Sequence, residues 1–142
     1  MATVDEFIAK LREYIGTPFV HQGRVKGRHG GVDCTGLVVC AAEELDIPIT
    51  QPKAYHTGDN IEMLETLLHL HCERISSPEK GCLLVYRQRT MYHHLVICTE
   101  LDPLTGIHAW RTTGINRVVE ASIPEEWAGG LHSLWWINGV DR

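Results

Sequence analysis

Gly30-Gly31-Val32-Asp33-Cys34-Thr35-Gly36-Leu37-Val38-Val39-Cys40-Ala41-Ala42-Glu43-Glu44-Leu45 is the stretch on which the fold turns. Glycines run into a polar residue, then a cysteine, then a helical pattern. Leu37, Val38, Ala41 and Leu45 share one face, and Asp33 stands where an N-cap stands. Cys34 therefore falls in the first turn of a helix, with Pro48 and Pro52 beyond its end. Toward the N-terminus, residues 21–32 are a loop carrying Gly23, Gly27, Gly30 and Gly31. Before it, Thr3-Val4-Asp5-Glu6 has the form of a capping box. Val4, Phe7, Ile8, Leu11 and Ile15 then recur at helical spacing, predicting a helix over about 4–15 that Gly16-Thr17-Pro18 ends.

Toward the C-terminus a third helix is predicted over about 60–72, with Ile61, Leu64, Leu68 and His71 on one side. After Ser76-Ser77-Pro78 the pattern changes to short strands rich in apolar and β-branched residues. They are 81–86 (GCLLVY), 93–99 (HHLVICT), 106–110 (GIHAW), 117–122 (RVVEAS) and 131–137 (LHSLWWI). A single helical turn is expected at 122–127 (SIPEEW), where Pro124 is tolerated in the first turn. Helices first and a meandering antiparallel sheet after them give an α+β fold, with 1–142 as a single domain.

Composition agrees with that. At 142 residues with 44% hydrophobic and 22% charged residues, the chain is an ordinary globule. A domain of this size buries roughly 68–70% of its unfolded surface and needs no staple. Thirteen Lys and Arg against eighteen Asp and Glu leave a net charge of −5, so a nucleic acid is not the expected partner. No run approaches the ~18 apolar residues of a membrane span, so no membrane association is expected. The N-terminus carries acids where a signal peptide has a basic flank, so synthesis in the cytoplasm is expected.

Five cysteines and nine histidines are a rich supply of nucleophiles and bases. The cysteine count is odd and no two form a C-x-x-C pair, so no disulfide framework is expected. His69, His71 and Cys72 lie close together, but not at a common structural zinc spacing, and neither a metal nor another cofactor is expected. Cys40, Cys72, Cys82 and Cys98 sit in apolar strings and read as core. Cys34 is different. A thiolate at a helix start faces unpaired N–H groups and the positive end of the dipole, which lowers its pKa and supplies oxyanion donors. The other reading of the same residues is a plain helix start that carries a cysteine.

A thiol nucleophile needs a base and a group to orient it. His94 and His108 lie on strands joined by the turn Asp102-Pro103-Leu104-Thr105, so they are predicted to be antiparallel neighbours facing each other and the helix tip. Alternation sends His93 to the opposite face from His94.

Together these segments resemble the NlpC-type cell-wall cysteine peptidases, a family with a papain-like fold. The residues that carry the resemblance are Gly16-Thr17-Pro18-Phe19, Asp33-Cys34-Thr35-Gly36-Leu37-Val38, Gly81-Cys82-Leu83-Leu84-Val85, His94-Leu95-Val96-Ile97 and Ile107-His108-Ala109. The nearest branch is the one encoded with bacteriophage tail and gene transfer agent genes, which the segments Gly16-TPFVHQ, Ile107-HAW and Val119-EASIPEEW resemble. The resemblance implies N-terminal helices on a central antiparallel sheet of about five to six strands. It implies Cys34 as nucleophile, His94 as base and His108 as the orienting residue; many members also carry a separate wall-binding domain, and here 1–142 is expected to be the catalytic domain alone. It also implies hydrolysis of a peptidoglycan stem peptide, commonly between γ-D-glutamyl and a diamino acid, with phage tail proteins as carriers.

His21, Asp33, Thr35 and Gly36 are the residues expected beside the substrate. His21 occupies a place where many members have tyrosine. Gly81-Cys82-Leu83 departs from the family's Gly-Asp-Leu and so loses an acid from a local turn. Two other classes remain open at this point: an idle structural component of a tail, and an acyltransferase or deamidase on the same scaffold. Trp127, Trp135 and Trp136 read as core or interface more readily than as a sugar platform, with one of the adjacent pair facing in and one out. Arg24, Lys26 and Arg28 form a small basic cluster that reads as a solvated loop or, with the site beside that loop, as an attraction for stem-peptide carboxylates.

Overall fold

The computed structural model describes residues 1–49, 60–87 and 93–142; Pro52 and the side chain of Ile61, used above, lie outside the described residues. Strand β1 (Ala2–Thr3) leads straight into helix α1 (Val4–Arg12). The capping box is complete: Glu6 N–H donates to Thr3 Oγ1 at 3.1 Å, and Thr3 N–H donates to Glu6 Oε1 at 3.0 Å. Phe7, Ile8 and Leu11 are its buried face. The helix is shorter than its periodicity suggests. After Arg12 the amides of Tyr14 and Ile15 bond back three residues, the coil tightens, and Ile15 is left 47% exposed.

The glycine loop is not featureless. It folds into an antiparallel pair, β2 (Arg24–Val25) with β3 (Gly31–Val32), that delivers the chain to helix α2 (Cys34–Glu44). Asp33 caps α2 as expected, its Oδ1 accepting from Gly36 N–H at 2.7 Å. A single apolar face was expected, but every residue from Cys34 to Ala42 is buried. The reason is its position: α1 and the glycine loop cover one side, and the sheet covers the other. Helix α3 (Asn60–His71) buries Leu64, Leu67 and Leu68.

The main sheet contains β4 (Cys72–Ile75), β5 (Leu83–Tyr86), β6 (His94–Leu101), β7 (Leu104–Thr112), β8 (Ile115–Ser122) and β9 (Leu131–Ile137), all paired antiparallel in the order β4-β9-β5-β6-β7-β8. Strands β5 to β8 are the expected meander. Strand β9 returns across a 3₁₀ segment, Glu125–Gly130, to the far side of β5. Strand β4 has no counterpart in the sequence reading: only four residues long with one fully buried position, it gives no alternation to detect. A final strand β10 (Val140–Asp141) pairs in parallel with β1.

Both Trp135 and Trp136 are buried, at 4% and 5%, where one exposed ring was expected. They do face opposite ways, but both faces of β9 are covered. Trp135 lies under His69 of α3 and Arg74, with Nε1–H donating to Ser133 Oγ at 2.9 Å. Trp136 donates Nε1–H to the Val140 carbonyl at 2.8 Å.

Candidate active site

The start of α2 meets the sheet where β6 and β7 begin and end their pairing. Its anchor is Asp33, 3% exposed. Besides capping through Oδ1, it accepts from Arg24 Nη1 at 3.1 Å and, through Oδ2, from Gln22 N–H at 2.9 Å. One carboxylate thus caps the helix as expected and also fixes the glycine loop to the helix start. At Gly36 the space a Cβ would fill is taken by the Gly23 carbonyl and the Arg24 guanidinium. The close approach that glycine permits here is the chain's own backbone. Thr35 is buried beside it, 1% exposed, and its amide acts on the Cys34 sulfur.

Cys34 is 6% exposed, and its sulfur sits against the backbone N–H of Leu95, the residue after His94. The expectation of a thiol made acidic by the helix start is overturned. Burial pushes the Cys34 thiol up to about 11, and the neighbouring Asp33 carboxylate pushes the same way, against the Leu95 and Thr35 amides. The acid that caps the helix offsets the dipole that would have favoured the thiolate.

His94 and His108 come together as their strands predict. The Ile97↔Ile107 pairing sets the two on one face, diagonal to each other. His94 Nε2 lies 2.6 Å from His108 Nδ1, and the rings meet edge to face at 4.8 Å. This bond uses Nε2 of His94 and leaves Nδ1 as its remaining nitrogen. If that nitrogen is to accept a proton, Nε2–H is the donor to His108 Nδ1, and His108 carries its own hydrogen on Nε2. Both imidazoles are neutral. Burial and the facing His108 hold His94 well below its ordinary value, and burial lowers His108 to about 4.

An aromatic wall surrounds the pair. Trp110 stacks on His108 at 5.1 Å, and Trp127 stands edge-on to His94, His108, Trp110 and Tyr86 at 5.3–5.8 Å. The sequence marks Trp127 as packing; the structure makes it the packing of this site. Its place in the segment Val119-EASIPEEW was the available signal. Trp110, next but one after His108 on the same strand, has no local sequence signal that marks it for this role.

The other expected residues lie apart. His93 has φ +52 and turns away to Glu65, with Nε2 3.1 Å from Oε1, so it does not compete with His94. His21 is exposed on the loop beside Gln22, one residue from the Asp33 anchor. The basic cluster is engaged within the chain. Arg24 holds Asp33, and Lys26 holds Glu13 at 2.6 Å and Glu44 at 3.1 Å, so these two serve the scaffold. At the Gly81-Cys82-Leu83 turn, Glu79 N–H reaches Cys82 Sγ at 3.5 Å. All five cysteines are free and buried.

The scaffold is an α+β fold of six antiparallel strands with helices in front of them, and it is the fold of an NLP/P60 structure. That structure is a lipoprotein-like protein of the NLP/P60 family from Staphylococcus aureus subsp. aureus Mu50. It superposes with a TM-score of 0.65 at 16% identity, over 98% of this chain and 42% of the other. The chain thus spans less than half of that relative's length. No protein-family model matches the chain, and no curated protein does.

Proposed function

We propose that the chain is a cysteine hydrolase of peptidoglycan stem peptides, with Cys34 as nucleophile, His94 as base and His108 as the residue that orients it. The observation that carries this reading is the 2.6 Å bond between His94 and His108, with the Cys34 sulfur against the amide of Leu95, the residue after His94. The likeness in fold to an NLP/P60 structure supports it.

With thiol and imidazole both neutral at rest, deprotonation and attack occur together. Cys34 Sγ bonds to the amide carbon while His94 Nδ1 takes the thiol proton, and Nε2–H stays on His108. Gly36 N–H is occupied by Asp33 and Leu37 N–H by the Asp33 carbonyl, so the amide of Cys34 itself is the donor left at the helix start for the oxyanion. Collapse transfers the proton from His94 to the leaving amine and leaves a thioester. Water, deprotonated by His94, then releases the acid and restores the thiol. The bond cut is the γ-D-glutamyl–diamino acid amide, and a phage tail is the carrier that brings the domain to the wall.

Incubation of defined muropeptides with the protein, read by mass spectrometry, tests this. The wild type releases the two halves and Cys34→Ala does not, while both melt alike. No cleavage by the wild type assigns the chain to the idle class, and incorporation of added amines in place of water assigns it to the transferases.

A further inference from the structure

We propose that Glu65, His93 and His132 form a binding site for a divalent cation of the zinc class, on the side of the sheet opposite the proposed catalytic pair. Each residue offers one ligand atom, and the three atoms lie within 4.8 Å of one another. Tetrahedral coordination at ~2.0–2.1 Å places ligand atoms roughly 3.3 Å apart. The Glu65–His93 separation of 3.1 Å is already at that spacing, and His132 closes on it by side-chain rotation.

The three come from separate elements: Glu65 from α3, His93 from the turn that opens β6, and His132 from β9. A cation there joins the helix to two strands of the sheet. The burial is graded, with His93 buried, Glu65 partly so and His132 exposed. That leaves a way in from solvent and an open fourth position, the arrangement of sites with three protein ligands. His132 has an outer partner as well. Its Nδ1 lies 3.2 Å from Ser133 Oγ, and with Nδ1–H donated to that hydroxyl, Nε2 is left for a metal. His69 faces the second oxygen of Glu65 at 3.5 Å. His93 adopts φ +52, a conformation uncommon for a residue with a Cβ, and in it the ring reaches Glu65.

Two imidazoles and a carboxylate suit zinc-like ions; calcium and magnesium prefer oxygen shells. The positive charge of Arg87 also bears on His93. It disfavours ions held by charge alone and leaves the advantage to those that bond to imidazole nitrogen. The sequence had drawn attention to His69, His71 and Cys72 instead. These lie close in sequence where α3 ends and β4 begins, and only the folded chain brings Glu65 to His93 and His132.

The test is calorimetric titration with zinc chloride, using the wild type and Cys34→Ala. The second removes the thiol beside His94 as a rival ligand. One zinc per chain is expected in both, with a rise in melting temperature that magnesium does not reproduce. His132→Ala and Glu65→Gln should each lose tenfold or more in affinity, and His132 is exposed enough for its variant to fold. Cobalt in place of zinc should give visible bands without a thiolate charge-transfer band. Absence of binding, undiminished binding in both variants, loss of binding in Cys34→Ala or a thiolate band would each overturn the site.

Discussion

Acidification should destabilise this protein through its buried histidines, and the share of one of them, His108, can be read separately. His108 is 1% exposed, and burial lowers it to about 4, whereas in the unfolded chain a histidine titrates near ~6.5. Above that value the imidazole is neutral in both states and contributes no pH dependence. Between the two values the unfolded chain takes up a proton that the folded chain refuses, so stability falls as pH falls. Below about 4 both states are protonated and the loss saturates. At about 1.36 kcal/mol per unit, the span corresponds to about 3 kcal/mol. For a chain of this length that is on the order of 5–10 °C in melting temperature. The measurement is a series of urea and thermal melts from pH 7.5 to 4 on the wild type and His108→Gln. The glutamine can still accept a hydrogen bond from His94 but does not titrate. The variant should start less stable and then lose less with falling pH, its curve flatter by about that amount. Parallel curves would show that the proton is not refused by His108, and the account of its burial would be wrong.

Iodoacetamide should label Cys34 slowly at pH 6 and faster with each unit above it, because its thiol is pushed up to about 11; rapid labelling at pH 6, read by mass spectrometry, would show a resting ion pair instead. Trp127→Ala removes a nearly buried ring that touches both histidines and should cost about 3–5 kcal/mol in a urea melt, with Trp127→Phe costing far less. Asp33→Ala should cost more than the ~0.5–2 kcal/mol of an ordinary cap, since Arg24 and the Gln22 amide lose their acceptor too; Asp33→Asn should recover part of it.

The parts legible in the sequence are those whose signal is local. The capping box at Thr3 and Glu6, the cap at Asp33 and the strands from Leu83 to Ser122 all write their pattern within a few residues, and each is where the pattern puts it. The His94–His108 contact was legible because two strands and one turn fix it. What failed to show depends on distant segments. Trp136 is covered because the chain ends meet beneath it, and α2 is buried all round because the glycine loop folds back over it. The reversed thiol is of the same kind. The helix start is visible in the sequence, but the burial that outweighs it is made by the sheet.

The return of β9 to the far side of β5 also sets an order of assembly. Strands β5 to β8 are joined by short connections, so their ladder can close from contacts near in sequence. Strand β4 has β9 as its sheet partner, and about 65 residues separate Cys72 from Ile137, so that edge must wait for the last part of the chain. The wall over the histidines waits too, because Trp127 lies in the segment that leads into β9. During synthesis the two imidazoles can therefore meet with Trp110 beside them while Trp127 is still missing, and that part of the wall closes only when the sheet is complete.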